Sequence, residues 1–198
     1  MRIKFDFLGR KWSFSSYKVP PALVGGYTNY VPIEDRYVVF ADYDTIREDV
    51  FVRDLVYLQE TFQLGTFYAF RTLDLADRYP TNIPVGNYHS VCVDEVTTWE
   101  LINILRCSKA DYAFVNAPRR NPEKDWVLRL EPKGVRDEPV LLQVVESPYD
   151  GKRVQSLGHA MVLEAICGLD IVKTLTNSDG HTDVELVVYN TANRLEVK

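Results

Sequence analysis

Tyr37-Val-Val-Phe-Ala-Asp-Tyr-Asp44 is a run of β-branched and aromatic side chains that ends in two aspartates. Such a run is typical of a strand buried in a sheet. The segment 45–62 follows it directly, and its apolar side chains recur at helical spacing: Phe51, Leu55, Leu58 and Phe62. Gly65 then stands where such a helix ends. The sequence therefore predicts a buried strand followed by a helix that packs on the sheet through its apolar face.

The same patterns predict the other elements of the chain. Strands are predicted at 66–72, 88–93, 110–115, 126–130, 140–145 and 184–189, and helices at 97–106 and 156–169. Thr97 and Glu100 form a capping box at the start of the helix 97–106, and Trp99 is expected to pack on the sheet. Because strands and helices do not alternate throughout, a doubly wound fold is excluded. The order predicts an α+β fold, a mainly antiparallel sheet with helices packed on one face.

The first 36 residues differ from the rest of the chain. Short apolar stretches around Gly9 predict a hairpin within 2–19, and the prolines and glycines of 20–36 predict a loop or an extended arm. We expect 1–36 to form this hairpin and arm, and 37–198 to form a single α+β domain.

Composition limits the classes of function. The 198 residues carry 28 acidic and 23 basic side chains, for a net charge of -5. A protein that coats nucleic acid over its whole surface would be basic, so any contact with nucleic acid must be local. The three cysteines are scattered, which favours buried thiols over disulfides or a zinc site.

The sequence also predicts where the protein resides. Residues 1–12 carry four Lys or Arg and an Asp and have no apolar core, so no signal peptide is expected. No uncharged apolar run approaches the roughly 20 residues of a membrane helix. We therefore expect a cytoplasmic protein with no membrane contact.

Asp42 and Asp44 are the first candidates for chemistry. Side chains two positions apart on a strand share a face, which places these carboxylates about 7 Å apart along it. Such a pair can share one or two hard cations, and without a cation the like charges repel. The alternative is that the strand has ended and that Asp44 or Thr45 caps the next helix.

Two further residues gain interest only beside this pair. His89 lies at the start of the predicted strand 88–93, and Asp111 lies at the start of the predicted strand 110–115. A lone histidine is usually structural, and an acid before a buried strand is commonly a turn residue. His159 and His181 have no second histidine or cysteine three or four residues away, so a zinc hydrolase is not expected.

A basic stretch follows within residues 119–136. Its six cations are Arg119, Arg120, Lys124, Arg129, Lys133 and Arg136. Arg129 alternates with apolar neighbours and is expected to project from a strand as an exposed cation. Lys133 precedes a glycine in a turn, where an ammonium and backbone amides can meet a phosphate. A solvated basic hairpin is the equally acceptable alternative.

Taken together and in this order, these residues resemble the archaeo-eukaryotic primase superfamily. Its marks are a strand ending in Asp-x-Asp, a motif ending in His, a strand bearing a third acid, and an Arg-containing strand and turn. The similar segments are Phe40-Ala-Asp42-Tyr-Asp44, Asn87-Tyr-His89, Ala110-Asp111 and Leu128-Arg-Leu-Glu-Pro-Lys-Gly134. The His motif departs from the family pattern, because Gly-Asn-Tyr replaces the usual Ser-Gly pair.

The resemblance implies an RRM-like sheet and a metal-dependent nucleotidyltransferase that makes or extends nucleic-acid strands on a single-stranded template. Two Mg²⁺ or Mn²⁺ ions would activate a 3′-hydroxyl and stabilise the leaving pyrophosphate. The implied catalytic and metal-binding residues are Asp42, Asp44 and Asp111. The implied ligands of the nucleoside triphosphate are His89, Arg129 and Lys133. The residues expected to bind nucleic acid are Arg119, Arg120, Lys124 and Arg136. A helicase or another replication protein is an expected partner.

Two other functions stay open from the sequence. The first is a non-catalytic primase-fold protein that binds single-stranded nucleic acid in replication initiation. The second is a structural or interaction domain in which the aspartates are turn residues.

Overall fold

The fold is that of a computed structural model, described for residues 2–7, 10–15, 23–31, 35–74, 85–116, 126–129, 139–178, 180 and 186–190. For 2–7, 10–15, 23–27, 73–74 and 186–190, the backbone alone is described. Within these ranges, no helix is long and apolar enough to cross a membrane.

Ten strands and four α-helices make up the described part of the chain. The strands are β1 Arg2–Phe7, β2 Arg10–Ser15, β3 Leu23–Thr28, β4 Tyr30–Val31, β5 Arg36–Arg47, β6 Phe67–Asp74, β7 Val85–Val96, β8 Val127–Arg129, β9 Val140–Val145 and β10 Leu186–Asn190. The helices are α1 Glu48–Phe62, α2 Thr98–Cys107, α3 Tyr112–Val115 and α4 Leu157–Cys167, and a 3₁₀ turn spans Val172–Thr174.

The strands form three sheets with antiparallel pairing throughout. The main sheet has five strands in the order β4-β5-β7-β6-β9. A second sheet has the order β10-β3-β8, and β1 pairs with β2 alone. The α+β class is thereby confirmed, as is the N-terminal hairpin.

The junction of β5 and α1 differs from its prediction. β5 continues to Arg47 because Ile46 and Arg47 still pair with β7, after a bulge at which Thr45 has φ 55°. α1 therefore begins at Glu48, where two acids in the first turn suit the positive end of the helix. It ends at Phe62, followed by Gln63 in the left-handed conformation.

Gly65 lets two carboxylates come close to the backbone because it has no side chain. Its amide donates to Asp94 Oδ2 at 2.6 Å. A Cβ at this position would lie 2.6 Å from Asp150 Oδ1 and 2.9 Å from Asp94 Oδ1, closer than real Cβ atoms come. A side chain is therefore excluded here by packing against acids far away in the sequence.

One face of the main sheet is covered by α1 and α2. Phe51 of α1 contacts Tyr43 of β5 and stacks on Tyr88 of β7, with ring centroids 4.9 and 4.7 Å apart. Leu55 and Leu58 are fully buried, as predicted. The prediction for Trp99 is wrong, because its side chain is 68% exposed. The residues that α2 buries begin two positions later, on the opposite side of that helix: Leu101, Ile104 and Leu105.

The opposite face of the main sheet carries α4. Phe40 of β5 alternates with Ala41, so it lies on the face away from Tyr43. Its ring meets the His159 ring of α4 edge to face, with centroids 5.9 Å apart. The helices thus divide between the two faces, so the expectation that they pack on one face is wrong for α4.

Two segments differ in type from their predictions. The loop or arm at 20–36 contains β3 and β4, and β3 pairs with both β8 and β10. The prediction of a strand at 110–115 is wrong, because residues 112–115 form the short helix α3. The division of the chain at residue 36 stays a prediction.

The thiols are free, and one of them lies at the surface. Cys92 is buried and Cys167 is partly buried, whereas Cys107 at the end of α2 is exposed. The expectation of buried thiols is wrong for Cys107.

Candidate functional site

Asp42 and His89 face each other across β5 and β7. They are direct register partners, so their side chains share the face of the sheet opposite to α1. His89 Nε2 lies 3.4 Å from Asp42 Oδ1. The His89 side chain is 6% exposed and that of Asp42 is 22% exposed. A partly exposed carboxylate thus lies beside an imidazole that is almost fully buried.

Asp44 lies at the bulge that ends the regular part of β5. It is exposed, and the following residue, Thr45, donates its amide to Asn87 Oδ1 at 2.8 Å. The Thr72 hydroxyl in turn donates a hydrogen bond to the backbone carbonyl of Asn87 at 3.1 Å. Asn87 therefore fixes the backbone directly after Asp44. The sequence motif contains Asn87, yet nothing in its pattern predicts this role.

Asp111 meets Asp42 through the backbone. Its amide donates to the Asp42 carbonyl at 2.7 Å, which places the third acid beside the first. Its carboxylate accepts the Phe114 amide at 2.9 Å and so caps α3. This cap explains why the predicted strand is a helical turn, and it engages one oxygen of the predicted metal ligand.

Arg129 is buried, so the expectation of an exposed cation is wrong. Its side chain donates from Nη2 to the Thr72 carbonyl at 3.1 Å. It lines a narrow crevice together with His89, between β6, β7, β8 and α4. The other lining residues are Phe70, Val91, Leu128, Pro139 and Ile166. Since a buried guanidinium is costly without anions or hydrogen bonds, the Thr72 carbonyl helps to stabilise Arg129 in this mainly apolar crevice.

The carboxylates have the chemistry that a hard cation needs. Oxygen ligands are those preferred by Mg²⁺ and Mn²⁺, and Asp42 and Asp44 both reach solvent. No group of three or more His, Cys, Asp or Glu side chains within the described ranges is placed to hold a metal ion. The fit therefore rests on the Asp42–Asp44 pair, with Asp111 adjacent.

A second polar cluster lies on the other face of the sheet, under α1. Asp54 Oδ2 accepts the Tyr43 hydroxyl at 3.0 Å and the Lys109 amide at 2.8 Å. Burial raises the pKa of Asp54. Burial also raises the pKa of Tyr43 well above its ordinary value, and the Asp54 charge adds to this. Sequence reasoning missed Asp54, although an acid on the apolar face of α1 is a signal that could have identified it.

The remaining predicted residues lie outside the described ranges. They are Lys133, Arg119, Arg120, Lys124 and Arg136. The described part thus brings Asp42, His89 and the backbone of Asp111 together, and it places Arg129 in one crevice with His89.

Comparison of the chain with protein-family models, curated proteins and solved structures finds no match.

Proposed function

We propose that this protein is a divalent-metal-dependent nucleotidyltransferase that makes or extends nucleic-acid strands on a single-stranded template. The supporting observation is the contact of Asp42 with His89 across β5 and β7. The hydrogen bond from Asp111 to Asp42 and the crevice shared by His89 and Arg129 add to it. Asp42 and His89, which are far apart in the sequence, thereby meet on one face of the sheet.

Each residue has a defined role in this proposal. Asp42 and Asp44 supply oxygen ligands to Mg²⁺ or Mn²⁺, with Asp111 beside them. A divalent cation held by these residues would lower the pKa of a 3′-hydroxyl and neutralise charge on the leaving pyrophosphate. His89, oriented by Asp42, and Arg129, anchored on the Thr72 carbonyl, bind phosphate oxygens of the incoming nucleotide.

Asp42→Asn tests the proposal directly. Wild-type protein is incubated with labelled nucleotides, Mn²⁺ and a single-stranded template, and incorporated label is measured. We expect Asp42→Asn to lower incorporation by more than about a hundredfold, since even residues that merely support metal ligands contribute ten- to a hundredfold. The matched control is Asp170→Asn, which changes an exposed acid paired with Lys173.

Two results would contradict the proposal. One is incorporation by Asp42→Asn at the level of Asp170→Asn. The other is folded wild-type protein that incorporates no label with either Mg²⁺ or Mn²⁺.

The cap at Asp111 favours a second candidate, a non-catalytic protein of the same fold that binds single strands. A carboxylate that holds the amide of Phe114 is a structural group in that case. Oligonucleotide binding in the presence of a chelator, combined with no incorporation under any metal, would select this candidate.

A further inference from the structure

A groove runs between α1 and the segment that joins α2 to α3. Its wall on α1 is a stripe of residues at helical spacing, and its other wall is the end of α2 and the residues after it. The lining residues are Val50, Arg53, Asp54, Tyr57, Cys107 and Lys109. No role above uses this groove, although its floor contains the Tyr43–Asp54 contact.

The walls of the groove are held together by Asp54. Its carboxylate, on α1, accepts the backbone amide of Lys109 from the opposite wall at 2.8 Å. The Tyr43 hydroxyl binds the same oxygen from the sheet below at 3.0 Å. The groove is therefore a fixed feature, and Asp54 is occupied by hydrogen bonds within the protein.

The rim of the groove combines positive charge with an aromatic ring. The Arg53 side chain is 72% exposed, and Lys109 is exposed on the facing wall. Arg53 contacts Asp49 at 2.5 Å, but a pair this exposed is weak and its cation stays accessible. Tyr57, on α1 one turn after Arg53, is 45% exposed. The groove therefore presents two cations and an aromatic ring, beside the carboxylates of Asp49 and Asp54.

Single-stranded nucleic acid has the complementary chemistry. Its phosphates match the two cations, and an unpaired base can stack on a solvent-exposed ring, which a base in a duplex cannot do. We propose that this groove binds single-stranded nucleic acid, with phosphates on Arg53 and Lys109 and a base on Tyr57.

The position of the groove connects this proposal to the proposed function, on which its biological role rests. Lys109 is tied to Asp54 in the groove, and two residues later Asp111 is tied to the Asp42 carbonyl. The segment 109–111 therefore connects the groove, on the α1 face of the sheet, to the backbone of Asp42, whose side chain lies on the opposite face.

Cys107 provides a direct test, because it is the exposed thiol among the three cysteines. The full chain is alkylated with a maleimide in the presence and absence of a single-stranded oligonucleotide, with a chelator added. Labelling at each cysteine is measured by mass spectrometry. We expect the oligonucleotide to slow alkylation of Cys107 several-fold, while Cys92 and Cys167 are unaffected.

Matched variants locate the binding energy. We expect Tyr57→Ala to weaken binding of a fluorescent oligonucleotide about tenfold, the typical loss for one stacked base. Lys109→Ala keeps the backbone amide that Asp54 holds, and it should lower the slope of log affinity against log salt by about 0.7. Trp99→Ala and Lys173→Ala are the controls, since they remove an exposed ring and an exposed cation outside the groove.

The outcomes separate the groove from the proposed function. Protection of Cys107 and the two variant effects support the groove even if no label is ever incorporated. Incorporation that proceeds normally in Tyr57→Ala and Lys109→Ala, with no protection of Cys107, overturns the groove and leaves the proposed function intact. Protection by an acidic peptide equal to that by the oligonucleotide also overturns it, because the groove would then select charge alone.

Discussion

Asp54 makes hydrogen bonds that stabilise the fold, but the burial of its charge destabilises it. Two hydrogen bonds favour its ionised form, and burial opposes that form. Burial is the larger effect, so the pKa of Asp54 in the folded protein lies above its ordinary value of 3.8. The folded state therefore holds a proton on Asp54 at pH values where the unfolded chain has lost it.

This shift sets the sign of a pH effect on stability. Below the ordinary pKa of 3.8, Asp54 is protonated in both states, and its favourable contribution is fully present. As pH rises through the raised pKa, folding requires burial of a charge and the contribution is lost. We expect Asp54→Asn to gain stability relative to wild type as pH rises above the ordinary pKa of 3.8, measured by urea unfolding.

The control for this measurement is Asp170→Asn, which removes an exposed carboxylate far from the Tyr43–Asp54 contact in the sequence. If Asp54→Asn instead loses stability relative to wild type as pH rises, the hydrogen bonds from Tyr43 and Lys109 outweigh burial.

At the scale of single elements, α2 has the best-defined start. Thr97 Oγ1 accepts the Glu100 amide at 3.3 Å, and Glu100 Oε2 accepts the Thr97 amide at 2.9 Å. Arg153 adds a contact to the other Glu100 oxygen at 3.1 Å. Burial acts in the opposite direction, yet these hydrogen bonds and the Arg153 charge lower the pKa of Glu100.

We expect Thr97→Ala to reduce the free energy of unfolding by about 1 kcal/mol, because the cap is lost and the helix itself is kept. Urea unfolding monitored by circular dichroism measures this. Thr98→Ala is the matched control, since Thr98 is the exposed first residue of the same helix. Equal losses in the two variants would show that the capping box contributes nothing specific.

Elements with strong local signals could be predicted from the sequence, and elements fixed by distant contacts could not. Local residues determine three of these features: the apolar run of β5, the apolar face of α1 and the capping box of α2. α3 does not, because Tyr-Ala-Phe-Val fits a strand until Asp111 is seen to cap the Phe114 amide. The adjacency of Asp42 and His89 needed the register of β5 and β7, which no local pattern gives.

At the scale of the whole molecule, His159 joins the two larger sheets. Its Nε2 lies 2.9 Å from the Thr28 carbonyl at the end of β3, and its Nδ1 lies 2.8 Å from Ser156 Oγ. A carbonyl can only accept, so Nε2 carries the proton, and in the neutral ring Nδ1 accepts from the Ser156 hydroxyl. The fully buried ring also packs on Phe40 of β5.

We expect His159→Ala to reduce the free energy of unfolding by about 3 kcal/mol, through a cavity and an unsatisfied carbonyl. Urea unfolding measures the loss. Met161→Ala, an exposed change two positions along α4, is the control and should cost far less. A loss for His159→Ala no larger than that of the control would show that the two sheets are held together elsewhere.

The order of strands in the second sheet has a consequence for synthesis on the ribosome. β3 is flanked by β8 and β10, so its neighbours emerge about 100 and 160 residues after it. At ordinary elongation rates the last of them follows roughly ten to thirty seconds later. Both edges of β3 are unpaired until β8 emerges, and one edge stays unpaired until β10 follows, so other strands can add to it. The nascent protein is therefore expected to need a holding chaperone most before β8 has been synthesised.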